Sequence, residues 1–219
     1  MLRHVAILTL ALPLAAQAQT APAASDTPQS AAWTAAESNR PRVKTAPEFK
    51  YEPATDRPAE ALAAGEFGEV VLVGILDVQG SLREVRIGES SKSASIDAAA
   101  LAAASEMRFQ PARDATGAPI AMILRVNLEY EHASFRGANA IARYRCGQAV
   151  RDYDWWARTW PGKSDRIYAT PLGFSVAAGI KDFDSDWRNA IESCRTAPKA
   201  LMLDKLQYGD FVKGMVGKR

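Results

Sequence analysis

The sequence predicts an α+β protein, in which a small antiparallel three-stranded sheet with one packed helix is followed by a mainly helical, disulfide-stapled domain. Three observations carry this prediction. The aliphatic run Val70–Val78 and a second apolar segment flank Gln79-Gly80, as in a β-hairpin. An alanine-rich stretch with helical spacing and then a strictly alternating segment ending at Tyr130 follow. Beyond Tyr130 the pattern becomes aromatic and helical, and both cysteines of the 219-residue chain lie there.

Residues 1–18 have the pattern of a signal peptide. Arg3 supplies the positive charge, residues 5–14 form the apolar core, and Ala16-Gln17-Ala18 is a small-residue cleavage site. The apolar run is shorter than the about 20 residues that a membrane span needs, which favours cleavage. An uncleaved signal anchor is the alternative, because the alanine-rich flank could extend the apolar run.

Residues 19–56 are rich in Ala, Pro, Ser and Thr, and large aliphatic residues are almost absent. Burial of apolar surface could therefore not offset the entropy lost when this segment becomes ordered. The prolines are spaced along it at Pro22, Pro28, Pro41, Pro47 and Pro53. The composition predicts a disordered or extended linker.

Residues 57–131 are predicted to form the sheet domain. Pro58 suits the first turn of a short helix and Gly65 its end. After the hairpin, Ser95 or a neighbouring serine is expected to cap the alanine-rich helix. The last strand is the clearest in the chain, since residues 120–130 alternate between apolar side chains and the polar Arg125, Asn127 and Glu129.

A set of short motifs in this domain occurs in a characteristic order and spacing. They are Pro58-Ala59-Glu60-Ala61, Gly65-Glu66-Phe67-Gly68-Glu69-Val70-Val71-Leu72, Asp77-Val78-Gln79-Gly80, Ser90-Ser91, Asp97-Ala98-Ala99-Ala100-Leu101 and Arg108-Phe109-Gln110-Pro111-Ala112. Together they resemble the C-terminal domain of the TonB family of energy transducers, over roughly a third of the chain. Two positions depart from the family pattern: Gly74 replaces a large apolar residue, and Met107 stands where a tryptophan is common.

The resemblance implies a mode of partner binding. In TonB the last strand captures an extended segment of an outer-membrane transporter by strand addition, for which an open sheet edge offers unpaired backbone groups. By position, this strand is Ala121 to Glu129 here. The predicted partner-binding residues are Ala121, Ile123, Arg125, Asn127 and Glu129. The alternative is that Arg125, Asn127 and Glu129 are only the solvent face of a strand, and that the following domain covers the edge.

The same resemblance implies a protein-binding module of the cell envelope. No enzymatic activity and no cofactor are predicted, since the sequence has no glycine-rich phosphate loop, no Gly-x-Ser-x-Gly elbow and no His/Cys cluster with metal spacing. A periplasmic adaptor that binds a protein partner in transport across the envelope is the first hypothesis. A membrane-anchored energy transducer is the second, and it engages an inner-membrane motor only if the signal is uncleaved. In a third, the helical half is a ligand-binding or enzymatic domain docked by the sheet; this would require a convergent polar pocket, and no acid/base pair in the sequence predicts one.

Residues 132–219 are predicted to form a helical domain of unknown type. One helix should end at Pro161-Gly162, and a second is predicted from Asp182 to Cys194 with Asp184 or Ser185 as its cap. A third is suggested around 201–211, while 168–180 cannot be assigned. Cys146 and Cys194 are expected to form a disulfide, as an even cysteine count in an exported protein indicates. A catalytic thiol is the alternative; its only candidate histidine in the mature chain is His132.

The tryptophans of the helical half suggest a core, a sugar-stacking surface or a membrane surface. Adjacent Trp155 and Trp156 are not expected to face one core together, so one of them is predicted to be an exposed contact. Asp182, Asp184 and Asp186 begin like a calcium loop, but the required glycine and bidentate glutamate are missing, and no metal site is predicted.

Charge separates the two halves of the chain. Residues 19–132 carry 11 basic and 16 acidic side chains, a net charge of −5, whereas residues 133–219 carry 15 and 9, a net charge of +6. The halves could attract each other or different partners. Only the modest positive charge of the basic half favours nucleic acid as its partner. The predicted export of the protein argues against such a partner.

Overall fold

The computed structural model describes residues 29–130, 141–163 and 169–216, so the predicted signal peptide and His132 lie outside the described residues. The predicted α+β fold is confirmed. In chain order the elements are α1 (Ala31–Ser38), β1 (Glu48–Tyr51), α2 (Ala59–Ala64), β2 (Gly68–Leu76), β3 (Leu82–Glu89), α3 (Ala94–Glu106), β4 (Arg108–Gln110), β5 (Met122–Tyr130), α4 (Cys146–Thr159), α5 (Ala169–Ala177), α6 (Phe183–Thr196) and α7 (Gly209–Val216).

The predicted three-stranded antiparallel sheet is present, with β2 between β3 and β5. Asp77 shapes the β2–β3 turn, because its carboxylate accepts hydrogen bonds from the backbone N–H groups of Gln79 and Ser81 and from the Arg83 side chain. Burial opposes ionisation of Asp77, but these hydrogen bonds outweigh it and hold its pKa below the ordinary value of 3.8. The hairpin is therefore closed by an ionised turn residue.

Gly74 departs from the family pattern for a steric reason. The β2–β3 register shifts between Val73 and Ile75, and Glu84 on β3 takes a positive φ of 48°. A Cβ at Gly74 would lie 3.1 Å from both the Arg83 carbonyl oxygen and a Val85 methyl group. Because the partner strand comes so close, a large apolar side chain at this position would require Arg83 and Val85 to move away from β2.

Helix α3 covers one face of the sheet. Ser93 caps it, with its hydroxyl oxygen accepting the N–H of Ile96 at 3.3 Å, so the serine adjacent to the helix takes the predicted capping role rather than Ser95. Asp97 in the first turn accepts hydrogen bonds from Ser90 and Ser91 and ties the helix to the end of β3. The buried members of this core are Ala61, Val70, Leu72, Leu76, Ile96, Ala100, Ala104, Met107, Phe109, Val126, Leu128 and Tyr130.

The prediction of a disordered linker is wrong for residues 29–51, which contain α1 and β1. Helix α1 begins after the N-cap Ser30 and packs Trp33 and Ala36 against Ile75 on the second face of the sheet. Strand β1 pairs with β4 in a separate two-stranded sheet. The composition argument failed for α1 because one tryptophan, only 4% exposed, supplies the apolar area that the aliphatic residues do not.

The helical half is built around α4 and α6, which the predicted Cys146–Cys194 disulfide joins. This confirms the structural pairing over a free thiol. Asp182 caps α6 by accepting the Ser185 N–H, two residues before the earlier of the two predicted caps. Helix α5 lies in the stretch that sequence reasoning left unassigned, and the predicted last helix is a 3₁₀ turn, Met202–Lys205, followed by α7.

The prediction that Trp155 or Trp156 is an exposed contact is wrong, since they are 6% and 7% exposed. Phe67, which precedes β2, enters the core of the helical half, and its ring centroid lies 5.3 Å from each tryptophan ring. Both indoles are therefore buried, because α4 is covered on one side by the rest of the helical half and on another side by Phe67 of the sheet domain.

Polar contacts join the two halves next to Phe67. Arg57 and Asp152 form a buried ion pair at 3.5 Å, and the Tyr144 hydroxyl donates to the same carboxylate at 2.7 Å. Gly65 ends α2 with a φ of 78°, and a Cβ there would lie 2.5 Å from the backbone of Arg151. The close approach of α2 to α4 thus depends on a glycine at position 65.

No helix in the described parts of the chain is both long and apolar enough to cross a membrane.

Candidate partner-binding site

The outer edge of β5 is the first feature of the candidate site. Strand β5 is antiparallel to β2 along its whole length, from Met122 opposite Leu76 to Tyr130 opposite Gly68. It is the last strand of the sheet on that side, and no strand within residues 29–130, 141–163 or 169–216 pairs with its other edge. A strand in this position presents backbone N–H and C=O groups to an extended peptide.

Side chains on β5 alternate as the sequence predicts. Val126, Leu128 and Tyr130 are buried toward α3. Arg125 and Asn127 are exposed, and they alternate with these core residues as strand geometry requires. Desolvation by burial raises the pKa of Tyr130, which keeps its phenol neutral as a core side chain.

The five predicted partner-binding residues do not share one environment. Arg125, Asn127 and Glu129 are exposed. Ala121 and Ile123 are only partly buried, but they pack against the Trp33, Ala36 and Ile75 cluster beneath α1. The structure therefore brings three of the predicted residues together at the surface and places the other two under a helix that sequence reasoning missed. The signals for that helix were the Ser30 cap and the isolated Trp33.

A hydrogen bond limits the start of the edge. The Asn39 side-chain amide, just after α1, donates to the Ala121 carbonyl oxygen at 3.0 Å. Ala121 immediately precedes β5, so α1 and Asn39 occupy the N-terminal end of the segment predicted to capture a partner. The strand available for pairing accordingly runs from Met122 to Tyr130.

Polar contacts connect exposed side chains of neighbouring strands on this face of the sheet. The Arg125 guanidinium pairs with Glu89 of β3 at 2.7 Å, and the Asn127 amide donates to Glu69 of β2 at 3.5 Å. Both contacts are exposed, and an exposed ion pair such as Arg125–Glu89 contributes about 0–1 kcal/mol. A partner could exchange these contacts for its own at small cost.

A groove borders the same face, between the sheet and the C-terminal end of α4. It encloses about 380 Å³ and is lined by Gly68, Glu69, Val71, Glu89, Ser90, Trp156, Trp160 and Lys163. The Lys163 ammonium lies 4.3 Å from the centroid of the Trp160 ring, within the range of a cation–π contact. Sequence reasoning missed this groove, because its walls come from segments about 90 residues apart.

The two buried carboxylates of the helical half, Asp152 and Asp186, have polar partners within the protein. Asp152 accepts hydrogen bonds from Arg57 and Tyr144. Asp186 accepts the Gln207 N–H, while burial raises its pKa. Across the residues that the structure describes, no group of three or more His, Cys, Asp or Glu side chains could hold a metal ion.

Comparison with known proteins assigns the class of the sheet domain. Residues 55–132 match the family described as the Gram-negative bacterial TonB protein C-terminal, which confirms the assignment predicted from the motifs. The match spans about a third of the chain and therefore identifies a TonB C-terminal domain within it, not the helical half.

Solved structures also include a domain similar to part of this chain. It is the solution NMR structure of the Pseudomonas aeruginosa TonB C-terminal domain, at 20% sequence identity and a TM-score of 0.34, over 39% of this chain and 86% of that one. No curated protein matches the chain.

Proposed function

We propose that this protein is a non-enzymatic binding module of the bacterial envelope that takes an extended partner segment along the outer edge of β5. The observation that carries the proposal is the position of β5, which ends the sheet with no further strand on its edge in the described part of the chain. Strand addition uses backbone groups for affinity and alternate side-chain positions for specificity.

The covered faces of the sheet favour binding at the edge. Helix α3 covers one face, and α1 covers part of the other. The bound segment would pair with Met122–Tyr130, a length of about 30 Å at the usual rise of a strand. Arg125, Asn127 and Glu129 would select among sequences, while Ala121 and Ile123 would take part only after α1 moves.

The proposed partner is a segment of an outer-membrane transporter, and the proposed protein is a periplasmic adaptor. In this form the signal peptide is cleaved and the export signal leaves no anchor. The alternative is a transducer held in the inner membrane by residues 1–18, in which case an inner-membrane motor is a second partner.

Intact mass of the protein from the native envelope fraction separates these forms. The mass of a chain that begins at Gln19, with a gain of two hydrogens on reduction of the disulfide, supports the adaptor. Retention of Met1–Ala18 in the membrane fraction contradicts the adaptor and supports the transducer.

Edge binding is tested with transporter-derived peptides and the full chain. Backbone amide shifts on titration should concentrate in Met122–Tyr130. Peptides N-methylated at one set of alternate residues should lose binding, and those methylated at the other set should retain it, because only alternate N–H groups of an added strand face β5. Unchanged shifts in β5, or equal binding of both methylated peptides, would overturn the proposal.

Arg125→Ala provides a matched comparison within the protein. It should weaken binding by less than tenfold, since the backbone pairing survives the loss of one exposed side chain. A total loss of binding would show that a side-chain site, rather than the strand edge, carries the affinity.

A further inference from the structure

Four cationic side chains converge on one open cavity of the helical half, away from β5. The cavity encloses about 650 Å³, and its basic lining residues are Arg143, Arg145, Arg151 and Lys199. All four are exposed. They come from three segments: the approach to α4, α4 itself, and the turn after α6.

The backbone fixes these segments against each other. Cys146 and Gly147 donate their N–H groups to the carbonyl oxygens of Ala200 and Pro198, each at 2.9 Å, and the Met202 N–H donates to Tyr144 at 2.8 Å. The Cys146–Cys194 disulfide adds a covalent link at the same place. The three segments that carry the four cations are therefore held against each other by backbone and covalent contacts.

None of the four cations pairs with a carboxylate in the described part of the chain. Arg145 donates to the Lys199 carbonyl at 2.6 Å and Arg151 to the Gln148 side chain at 2.6 Å, both neutral acceptors. Elsewhere in the same half, Arg195 lies between Asp154 and Glu192. Like charges held together without counter-charges repel one another, and a bound anion would relieve that repulsion.

We propose that this cavity binds a phosphate group. The fork of N–H donors on each arginine matches phosphate oxygens, and a phosphate offers three terminal oxygens and up to two negative charges to several cations at once. The binding groups are side chains, because the N–H groups of Cys146 and Gly147 already have partners. The phosphate could belong to an anionic lipid headgroup or to a soluble molecule.

The cleanest variant removes two charges without removing a hydrogen bond. Arg143 and Lys199 donate no side-chain hydrogen bond within the described residues, so Arg143→Gln combined with Lys199→Gln changes the charge of the cavity while leaving its backbone contacts in place. Arg188→Gln is the control, since Arg188 is an exposed cation on α6 outside the cavity lining. Circular dichroism and the intact disulfide would report that each variant is folded.

Two probes are used with the full chain. Inorganic phosphate is titrated at low ionic strength, and its binding is measured from backbone amide shifts. Vesicles of phosphatidylcholine with and without phosphatidylglycerol are the second probe. We expect saturable shifts around Arg143–Arg151 and Pro198–Lys199, weakened about tenfold per removed cation in the double variant and unchanged in Arg188→Gln. Preferential binding to phosphatidylglycerol vesicles identifies a lipid source, and saturation by free phosphate alone identifies a soluble one.

Three results would overturn the proposal. The first is the absence of saturable binding of either probe, and the second is equal binding by the double variant. The third is binding of an acidic peptide at this cavity with no response to phosphate, which would assign the cations to a protein partner. None of these results depends on peptide binding at β5, so this site and the edge of β5 can fail separately.

Discussion

The two faces of the three-stranded sheet are covered in different ways. Under α3 the sheet side chains are almost fully enclosed; Leu72 and Leu128 are each 1% exposed. Under α1 the buried cluster consists of Trp33, Ala36 and Ile75, with partly exposed neighbours around it. One face is thus the core of the domain, and the other is held mainly by a single aromatic side chain.

The connections of the two helices explain this difference. Helix α3 lies between β3 and β4, close in sequence to both. In the chain, helix α1 is separated from the sheet domain by the long segment from Asn39 to Pro58, which contains β1. We therefore expect α3 to form with the sheet as one cooperative unit and α1 to leave it in a local opening. Opening would uncover Ile123 and free the Ala121 carbonyl at the start of the proposed binding edge.

The largest expected effect is on the α3 face. Leu72→Ala should lower the free energy of unfolding by about 2–5 kcal/mol, because it leaves a cavity in an enclosed core. Urea denaturation of the full chain measures this, and the exposed Leu62→Ala is the control, with a change of about 0.5 kcal/mol or less. Similar midpoints for the two variants would contradict the enclosed packing of Leu72.

A smaller effect is expected on the α1 face. Trp33→Ala should release α1 from the sheet. It should lower the free energy of unfolding by less than about 2 kcal/mol, the lower end of the range for core truncations, because the sheet stays folded without the helix. Hydrogen exchange should become faster in Ala31–Ser38 and remain slow in β2 and β5. A loss of protection throughout the sheet would show that the two faces are equivalent.

The elements on the α3 face could be predicted from the sequence. Alternation in β5, the aliphatic run of β2 and the serine cap of α3 are local signals that match the fold they adopt. The disulfide followed from cysteine count and export. Each of these patterns is contained within one segment or one class of residue.

The α1 face could not be predicted in this way. Trp33 is buried only because Ile75, far along the chain, supplies a surface, and β1 and β4 are too short to show periodicity. Trp155 and Trp156 were misjudged for the same reason, since Phe67 arrives from the other half. Part of the candidate site depends on such contacts: α1 covers Ala121 and Ile123, and the groove spans both halves.

The Asn39–Ala121 contact offers a finer test of how α1 limits the edge. Asn39→Ala removes the hydrogen bond to the Ala121 carbonyl, worth about 1 kcal/mol, together with an exposed one accepted from Arg42, while leaving Trp33 in place. The Ala121 amide environment should change, and peptides that extend past Met122 should bind more tightly. If the binding of short and long peptides is unaffected, Asn39 does not limit the register of the added strand.

The smallest effect concerns Arg86, whose guanidinium lies 3.9 Å from the centroid of the Trp33 ring. A cation–π contact at an exposed site contributes about 0.5–1 kcal/mol, so Arg86→Gln should open α1 slightly more often without altering the sheet. A double-mutant cycle with Trp33→Ala isolates the pair, because the second substitution should have no added effect once the ring is gone. Equal effects of Arg86→Gln with and without Trp33 would mean that the Arg86–Trp33 pair does not hold α1 on the sheet.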